Sequence, residues 1–301
     1  MGNKNQIDKS RYGYFFIAPF FIVFVIFGFY PIIDTFILSL YKWDGLMPPM
    51  LVGLANFKRL LGDRIFYLSM WNTFRIWIVN FIPQLLTALI LAAFFSLNRI
   101  RGMKFFRAVY YLPNLITATS VGVFFNLLFN GNRSVANYIL LSLGVKGAPF
   151  SFFNSTVFTS GIVSYIQWWM WFGYTTIIIM AGITTIEKSI YEAAIIDGAS
   201  KFKTFTAITM PMINPTLVYL GITSIIGGMQ LFDVPATLTE RGTGDPQKIV
   251  LTTSMYMYNQ GFKNHNFGYA STLSVGLFFI IAILCVLAFL VMQRKGNKNA
   301  E

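Results

Sequence analysis

Polar and aromatic side chains recur at helical spacing inside three long apolar stretches of the chain. The three sets are Asn80, Gln84 and Thr87; Gln167, Trp171 and Tyr174; and Thr223, Gly227 and Gln230. Spacings of three and four residues place each set on one face of a helix. Amide groups hydrogen-bond hydroxyls, and aromatic rings stack on the apolar faces of sugar rings. These side chains are therefore candidates for contacts with a sugar.

The same residue types also have structural roles in membranes. Asn, Gln and Thr hydrogen-bond neighbouring membrane helices to one another, and Trp is common where a membrane meets water. Gln167 and Trp171 fall near the middle of their stretch, which argues against the interfacial role. Both the sugar interpretation and the helix-packing interpretation of the three sets remain open from sequence.

Composition assigns the chain to a membrane. Of the 301 residues, 55% are hydrophobic and only 11% are charged, which excludes a soluble globular protein. A membrane-spanning helix needs about 20 apolar residues. Six stretches meet this requirement: 14–40, 74–97, 108–129, 157–183, 217–234 and 270–292. Because long continuous runs replace strand-like alternation, the sequence predicts an all-α bundle of six transmembrane helices.

The distribution of basic residues predicts the orientation. The densest basic cluster is Arg99, Arg101, Lys104 and Arg107, between the second and third stretches. Short basic loops face the cytoplasm, so both termini are predicted to be cytoplasmic. The segments near Gly53, Gly147 and Gly244 are then external. The formal net charge of +12 therefore points to membrane orientation and not to nucleic acid.

A hydrophilic segment between the fourth and fifth stretches has the pattern of two short helices around a glycine. Ser189 and Glu192 have the spacing of a capping box that begins the first helix. Gly198 is placed to end that helix in a left-handed conformation. A second amphipathic helix follows, and Pro211 is predicted to end it.

This segment resembles the cytoplasmic coupling loop of the membrane subunits of bacterial ABC importers. That loop has E-A-A, three residues, D-G-A, then a Phe and a terminal Pro. The corresponding residues here are Tyr191, Glu192, Ala193, Ala194, Asp197, Gly198, Ala199, Phe205 and Pro211. The alternative is an ordinary helical hairpin. Many relatives have a proline where this chain has Glu187, and Thr184 is the expected substitute cap.

The resemblance extends to the sugar branch of these permeases and to the subunit type with an extra leading span. It is carried by Ala18-Pro19, Tyr30-Pro31, Trp43-Asp44, the run from Gly53 to Phe57, and Asn72-Thr73. It implies a tail, leading span and outer loop over residues 1–70, and a five-span core over 71–291 with its coupling loop at 184–215. Residues 292–301 form a second cytoplasmic tail.

Partners and location also follow from the resemblance. It implies a heterodimer with a second permease subunit, two cytoplasmic ATPase subunits and an external solute-binding protein. The complex would lie in the bacterial cytoplasmic membrane and import a sugar, with an oligosaccharide as the expected substrate, and the ATPase subunits would use the ATP.

The sequence offers no chemistry of its own for catalysis. It contains no G-x-x-x-x-G-K-[ST] loop, so no ATP site is expected on this chain. His265 is the only histidine and Cys285 the only cysteine, so neither a metal site nor an internal disulfide is expected. No nucleophile and base are paired within the spans.

Two other functions remain open. Permeases for glycerol phosphate or its phosphodiesters look much alike, although an anion pathway should contain basic residues and the inner spans have none. An ion-coupled carrier or channel would work without ATP, but such carriers usually bury charged residues in mid-span.

Overall fold

The computed structural model describes residues 5–97, 101–145, 148–239 and 242–298. Arg99 of the basic cluster and Gly147 of an expected outer segment lie outside these residues. The regular secondary structure of the described residues is helical apart from one short antiparallel pair of strands, in which Tyr41 is opposite Leu51. The predicted all-α fold is confirmed, with this small hairpin as an addition that the sequence pattern did not indicate.

The first of two compact units contains Met1–Asp63, as far as it is described, and Met257–Phe278. Its elements are α1 (Asn5–Phe24), α2 (Tyr30–Leu38), β1 (Tyr41–Lys42), β2 (Met50–Leu51), α3 (Ala55–Leu61) and the first part of α15 (Phe267–Lys298). A π-helical turn, Val25–Phe29, joins α1 to α2, and another occupies Asn259–Lys263.

The second unit contains the described parts of Arg64–Tyr256 and Phe279–Glu301. Its elements are α4 (Arg64–Leu97), α5 (Met103–Leu115), α6 (Ala118–Phe129), α7 (Val135–Ser142), α8 (Thr156–Thr184), α9 (Lys188–Ile196), α10 (Lys201–Thr204), α11 (Met210–Met212), α12 (Asn214–Met229), α13 (Asp233–Leu238) and most of α14 (Thr253–Tyr258). A 3-10 turn covers Phe152–Asn154, and a π-helical turn covers Phe205–Thr209.

Within the part of the chain that the structure describes, four helical stretches are long and apolar enough to cross a membrane: Gly13–Leu38, Arg64–Ser96, Asn214–Leu238 and Phe267–Met292. The count reaches six when two sharply bent pairs are each taken as one span, α5 with α6 and α8 with α9. Since α8 alone has 29 residues, it matches the predicted fourth span.

The third predicted span, 108–129, is not one straight helix. α5 and α6 meet at an angle of 87°, because Ile116 and Thr117 both have extended backbones. Thr117 then caps α6, and its Oγ1 accepts a hydrogen bond from the Ser120 amide at 3.3 Å. The two halves pack on different partners, α5 on α8 and α6 on α13.

Hydrogen bonds from side chains tie the first unit together. Asn56 Nδ2 donates to the carbonyl oxygens of Ser39 (3.0 Å) and Tyr41 (2.9 Å). Tyr269 is fully buried; its hydroxyl donates to the Asp63 carboxylate, and the Arg59 guanidinium lies 3.8 Å from its ring centroid. The segment after α2 is thereby fastened to the start of α15.

Helix α8 runs through both apolar clusters of the second unit. Val163, Ile166 and Met170 belong to one cluster, and Ile179 and Met180 to the other. Between them, the backbone of Gly173 lies directly against the carbonyl of Tyr110 in α5. Small residues allow this kind of close approach between membrane helices, so Gly173 sets how closely α5 and α8 pack.

We expect Gly173→Ala to destabilise the protein by about 1–3 kcal/mol, because the added methyl would overlap a backbone carbonyl that cannot rotate away. Gly161→Ala is the matched control on the same helix, since nothing lies within 4 Å of a methyl at that position. The control should be neutral or stabilising by up to about 1 kcal/mol, because Ala favours helix over Gly. Melting temperatures of the detergent-solubilised variants test this, and equal temperatures would contradict the packing argument.

Candidate functional site

A cavity of about 370 Å³ lies within the second unit between α4, α8 and α12. Its lining includes every residue that the sequence predicted for a substrate pathway: Asn80, Gln84, Gln167, Trp171, Tyr174, Thr223 and Gln230. Thr87, from the first polar set, does not line it. Its hydroxyl instead accepts a hydrogen bond from Trp168 Nε1 at 3.2 Å and bonds the Pro83 carbonyl. The three stripes therefore converge on one space.

Three amide side chains in the cavity wall are nearly buried. Asn80 is 7% exposed, and Gln84 and Gln167 are each 8% exposed. Gln84 Nε2 donates to Thr175 Oγ1 at 2.7 Å, and Asn80 Nδ2 donates to the Ile76 carbonyl at 2.9 Å. These bonds hold the two α4 amides in place, which is the kind of preorganised polar group that gives a binding site its specificity.

Aromatic rings form much of the remaining wall. Trp171 and Tyr174 meet edge to face, with ring centroids 5.8 Å apart. Trp77 stacks on Phe81 at 5.6 Å, and Trp77 Nε1 donates to Ser224 Oγ at 2.9 Å. Flat aromatic surfaces beside fixed amides suit a ligand that has both apolar ring faces and hydroxyl groups.

Several lining residues were missed from the sequence. They include Trp77, Phe81, Thr175, Tyr219, Ser224, Phe232 and Asp233. Trp77 could have been found, because it extends the Asn80 and Gln84 stripe by one turn towards the amino terminus. Phe232 and Asp233 had no such signal, since they follow the break that ends α12 at Met229.

Asp233 is the only charged side chain among the described residues that line the cavity. Arg75, on the same helix as Asn80, points elsewhere and donates to Ser160 Oγ (3.3 Å) and the Ile249 carbonyl (3.0 Å). In the described parts of the chain, no group of three or more His, Cys, Asp or Glu residues could hold a metal ion. The cavity combines amide, hydroxyl and aromatic groups, which suits the binding of an organic solute.

The predicted hairpin around Gly198 is present, and its turn has the predicted geometry. Gly198 has φ of +71°, the left-handed conformation. The Ala199 amide donates to the Ala194 carbonyl at 2.9 Å, and the Gly198 amide donates to the Ile195 carbonyl at 3.0 Å. This pair of bonds is the Schellman motif that ends a helix.

The start of this hairpin differs from prediction. Glu187, and not Ser189, is the capping residue of α9, and its side chain makes no cap hydrogen bond. Ser189 Oγ instead donates to the Glu187 carboxylate at 3.3 Å. Thr184 does not cap either, because its hydroxyl donates to the Ala181 carbonyl at 2.7 Å. The capping-box prediction was therefore wrong, since the extended backbone falls at Glu187 and places Ser189 inside the helix.

The end of the hairpin also differs. Pro211 was predicted to stop the second helix, yet helical structure continues to Met212 and resumes at Asn214. The preceding turn, Phe205–Thr209, is π-helical. Pro211 sits in the first turn of the short α11, where a proline needs no amide partner. Only Ile213 separates this helix from α12.

The hairpin buries one face and exposes the other. Ala194 is buried, Tyr191 and Phe205 pack on the second apolar cluster, and the Tyr191 hydroxyl lies 3.1 Å from Thr209 Oγ1. The exposed face contains Glu192, Ala193, Asp197 and Gly198, together with Ile195, Ile196 at 86% exposure and Phe202 at 78% exposure. Large exposed apolar side chains beside carboxylates are typical of a surface that docks another protein.

Comparison with known proteins identifies close relatives. The chain is 34% identical to the lactose transport system permease protein LacF of Rhizobium radiobacter, over 98% of this chain and 100% of the relative. It is 32% identical to the arabinooligosaccharides transport system permease protein AraP of Bacillus subtilis, over 98% of this chain and 91% of the relative.

A solved structure shares the fold. It is a bacterial ABC transporter involved in the import of the acidic polysaccharide alginate, with a TM-score of 0.81 and 21% identity, covering 96% of this chain and 97% of the other. The family described as "Binding-protein-dependent transport system inner membrane component" matches residues 66–296. The chain is a member of this family of membrane-embedded transport subunits.

Proposed function

We propose that this chain is a permease subunit of an ATP-driven importer and that its cavity forms part of the pathway of a sugar. The observation that carries the proposal is the convergence of buried amides and exposed aromatic faces on one cavity. Its volume of about 370 Å³ is within the usual range for small-molecule sites, about 300–1,000 Å³. The relatives named for lactose and for arabinooligosaccharides agree with a saccharide substrate.

The energy for uptake is assigned to partner subunits. We propose that one of two cytoplasmic ATPase subunits docks on the exposed face of the Gly198 hairpin, and that a second permease subunit completes the pathway. We also propose that a solute-binding protein delivers the sugar from outside. Exposed Ile195, Ile196 and Phe202 supply apolar contact area for the ATPase, and Glu192 supplies a carboxylate for a basic partner. ATP hydrolysis belongs to the partners, and this chain acts as a transport subunit.

A cavity in the sugar pathway predicts selective losses of transport. Gln167→Leu and Gln230→Leu remove one amide each, and an unpaired sugar hydroxyl costs about 1–3 kcal/mol. Trp171→Ala removes a stacking face worth about 0.5–1.5 kcal/mol beyond its area. We therefore expect sugar uptake by the assembled complex to lose at least severalfold in apparent affinity.

The matched control for Trp171→Ala is Tyr165→Ala, an exposed aromatic residue on the same helix that does not line the cavity. It should leave uptake close to wild type. ATPase activity of each complex, measured in parallel, should persist because the hairpin is untouched. Wild-type uptake by all three cavity variants would contradict the pathway assignment.

Changes in the Gly198 hairpin should impair the coupling of ATP hydrolysis to uptake without impairing membrane insertion. Gly198→Val forces a β-branched side chain into positive φ, which costs about 1–2 kcal/mol and tilts the following helix. Gly198→Asn is the control, because Asn tolerates this conformation and a Cβ at this position meets nothing within 4 Å. The Val variant should insert normally and lose uptake, whereas the Asn variant should retain it.

Charge reversal tests the docking face of the same hairpin. Glu192→Lys should uncouple ATP hydrolysis from sugar uptake, because it replaces a charge-assisted contact worth about 1.5–3 kcal/mol with repulsion. Glu187→Lys makes the same change at an exposed position outside the signature and should have little effect. Equal uptake by both variants, measured in vesicles containing the full complex, would remove Glu192 from the docking surface.

The proposed orientation can be tested by labelling. We expect both termini and the Gly198 hairpin to be cytoplasmic and the β1–β2 hairpin to be external. On a Cys285→Ser background, a cysteine at exposed Leu54 should react with an impermeant maleimide in intact cells, whereas one at exposed Ser200 should react only after lysis. Labelling of Ser200→Cys from outside would overturn the orientation.

A further inference from the structure

Hydrogen bonds within the protein decide whether side chains in the cavity wall present donors or acceptors to a ligand. Gln84 Nε2 lies 2.7 Å from Thr175 Oγ1, and Thr175 Oγ1 also lies 3.0 Å from the Trp171 carbonyl oxygen. A carbonyl only accepts, so the Thr175 hydroxyl proton belongs to the bond with Trp171. Thr175 therefore offers Gln84 a lone pair, and Gln84 must turn its NH₂ group towards Thr175. The amide oxygen of Gln84 is left for the cavity.

The side-chain amide of Asn80, one turn earlier on α4, also has a fixed orientation, with its NH₂ group turned towards the backbone. Its Nδ2 donates to the Ile76 carbonyl oxygen at 2.9 Å, and the opposite amide orientation would set two oxygens against each other. In the described residues, the buried side-chain polar atoms without a partner are Arg75 Nε and Ser164 Oγ. Neither the Asn80 nor the Gln84 side-chain oxygen is among these atoms, and neither accepts a hydrogen bond from the described residues. Both oxygens are therefore solvent-accessible, and both residues line the cavity.

Other lining groups reinforce this direction. Thr223 Oγ1 donates to the Tyr219 carbonyl at 2.8 Å, which leaves its lone pairs for a ligand. Trp77 Nε1, a donor, is already used by Ser224. Asp233 adds a carboxylate, and no Lys, Arg or His lines the described cavity. The fixed acceptors are therefore Asn80, Gln84 and Thr223, beside the Asp233 carboxylate. Gln167 and Gln230 can present either end of an amide, and the Trp171 indole N–H and the hydroxyls of Ser224, Tyr174 and Tyr219 are the donors in the lining.

We propose that this wall selects uncharged, hydroxyl-rich saccharides and rejects anionic ones, with Thr175 as the positioning residue for Gln84. The proposal rests on the proposed role of the cavity as the sugar pathway. A sugar hydroxyl can donate to the oxygens of Asn80 and Gln84. A carboxylate or phosphate has only lone pairs to offer and meets these oxygens and the Asp233 charge, so its binding is weakened by both.

Uronic acids and glycerol phosphate are therefore poor ligands for this cavity, whereas neutral disaccharides and longer neutral oligosaccharides are good ones. The saccharide chemistry of the solved structure that shares the fold does not carry over, since fold similarity leaves the lining residues free to differ. Selectivity resides in a few buried hydrogen bonds and in one carboxylate.

Binding to the complete transporter without its solute-binding protein tests the proposal, because the selectivity of that protein is then removed. Saturation-transfer NMR on nanodisc-embedded complex would compare lactose and maltotriose with the matching saccharides oxidised to uronic acids at one C6 position. We expect the neutral members to bind at least about tenfold more tightly than their acids.

Variants then separate the effect of the Asp233 charge from the effect of the Gln84 amide orientation. Asp233→Asn should strengthen binding of the uronic acids by about tenfold, because it removes the charge that repels them, and should lower the neutral-to-acid ratio accordingly. Thr175→Val frees the Gln84 amide to rotate, so it should weaken neutral binding and reduce the neutral-to-acid ratio severalfold. Thr175→Ser, which keeps the hydroxyl, should restore the ratio.

Thr176→Val is the matched control for Thr175→Val. Both threonines are buried on α8 and donate to the carbonyl four residues earlier, but Thr176 bonds Phe172 at 2.7 Å and does not line the cavity. It should leave the ratio unchanged. In a Gln84→Leu background, Thr175→Val should have no further effect on the ratio, because its target is gone.

The outcomes distinguish this inference from the proposed function. If wild type binds acids and neutral sugars equally while Trp171→Ala weakens both, the selectivity inference is wrong and the pathway assignment stands. If Thr175→Val and Thr176→Val behave alike, Thr175 has no positioning role. If no saccharide binds the wild-type complex and Trp171→Ala leaves uptake unchanged, the proposed function fails and the inference fails with it.

Discussion

Hydrogen-bond satisfaction in an apolar environment is the constraint on which the rest of this structure depends. Within a bilayer no water is available to polar groups, so backbone groups pair within helices and side chains must find partners nearby. Thr73, Thr175, Thr176 and Thr272 meet this requirement by donating to the carbonyl four residues earlier. Apart from Arg75 Nε and Ser164 Oγ, polar groups left without a partner after such pairing lie where the helices separate, and those of Asn80 and Gln84 are in the lining of the cavity. The same requirement therefore builds the scaffold and decides which atoms face a solute.

Close helix packing makes that cavity possible. α5 approaches α8 at Gly173, α6 approaches α13 at Gly122, and α12 approaches α4 at Gly228. At each crossing a side chain would collide with the neighbouring helix, so glycine allows contact that larger residues prevent. Trp77 fills the space opposite Gly228 and reaches Ser224, which draws α4 and α12 together beside the amides. Packing and ligand recognition thus share the same few residues.

The Gly198 hairpin has apolar side chains on both its buried face and its exposed face. Its inward face is anchored by Tyr191, Ala194 and Phe205, whereas its outward face leaves isoleucines and a phenylalanine in contact with solvent. Such exposure is unfavourable for an isolated chain and becomes favourable when a partner covers it. Two backbone hydrogen bonds of the Schellman motif at Gly198 end α9 and fix the direction in which the chain enters the next helix.

The sequence by itself determined the features that depend on local periodicity and on special backbone conformations. Apolar runs specified the helices, spacings of three and four placed Asn80, Gln84, Gln167 and Trp171 on helix faces, and Gly198 marked the left-handed turn. Tertiary structure decided what depends on contacts between distant segments. The bend at Thr117 arises where α5 and α6 pack on different helices, and Asp233 reaches the cavity only because α12 breaks before it. The orientation of the Gln84 amide was likewise undetermined until Thr175, on another helix, supplied the lone pair that turns it.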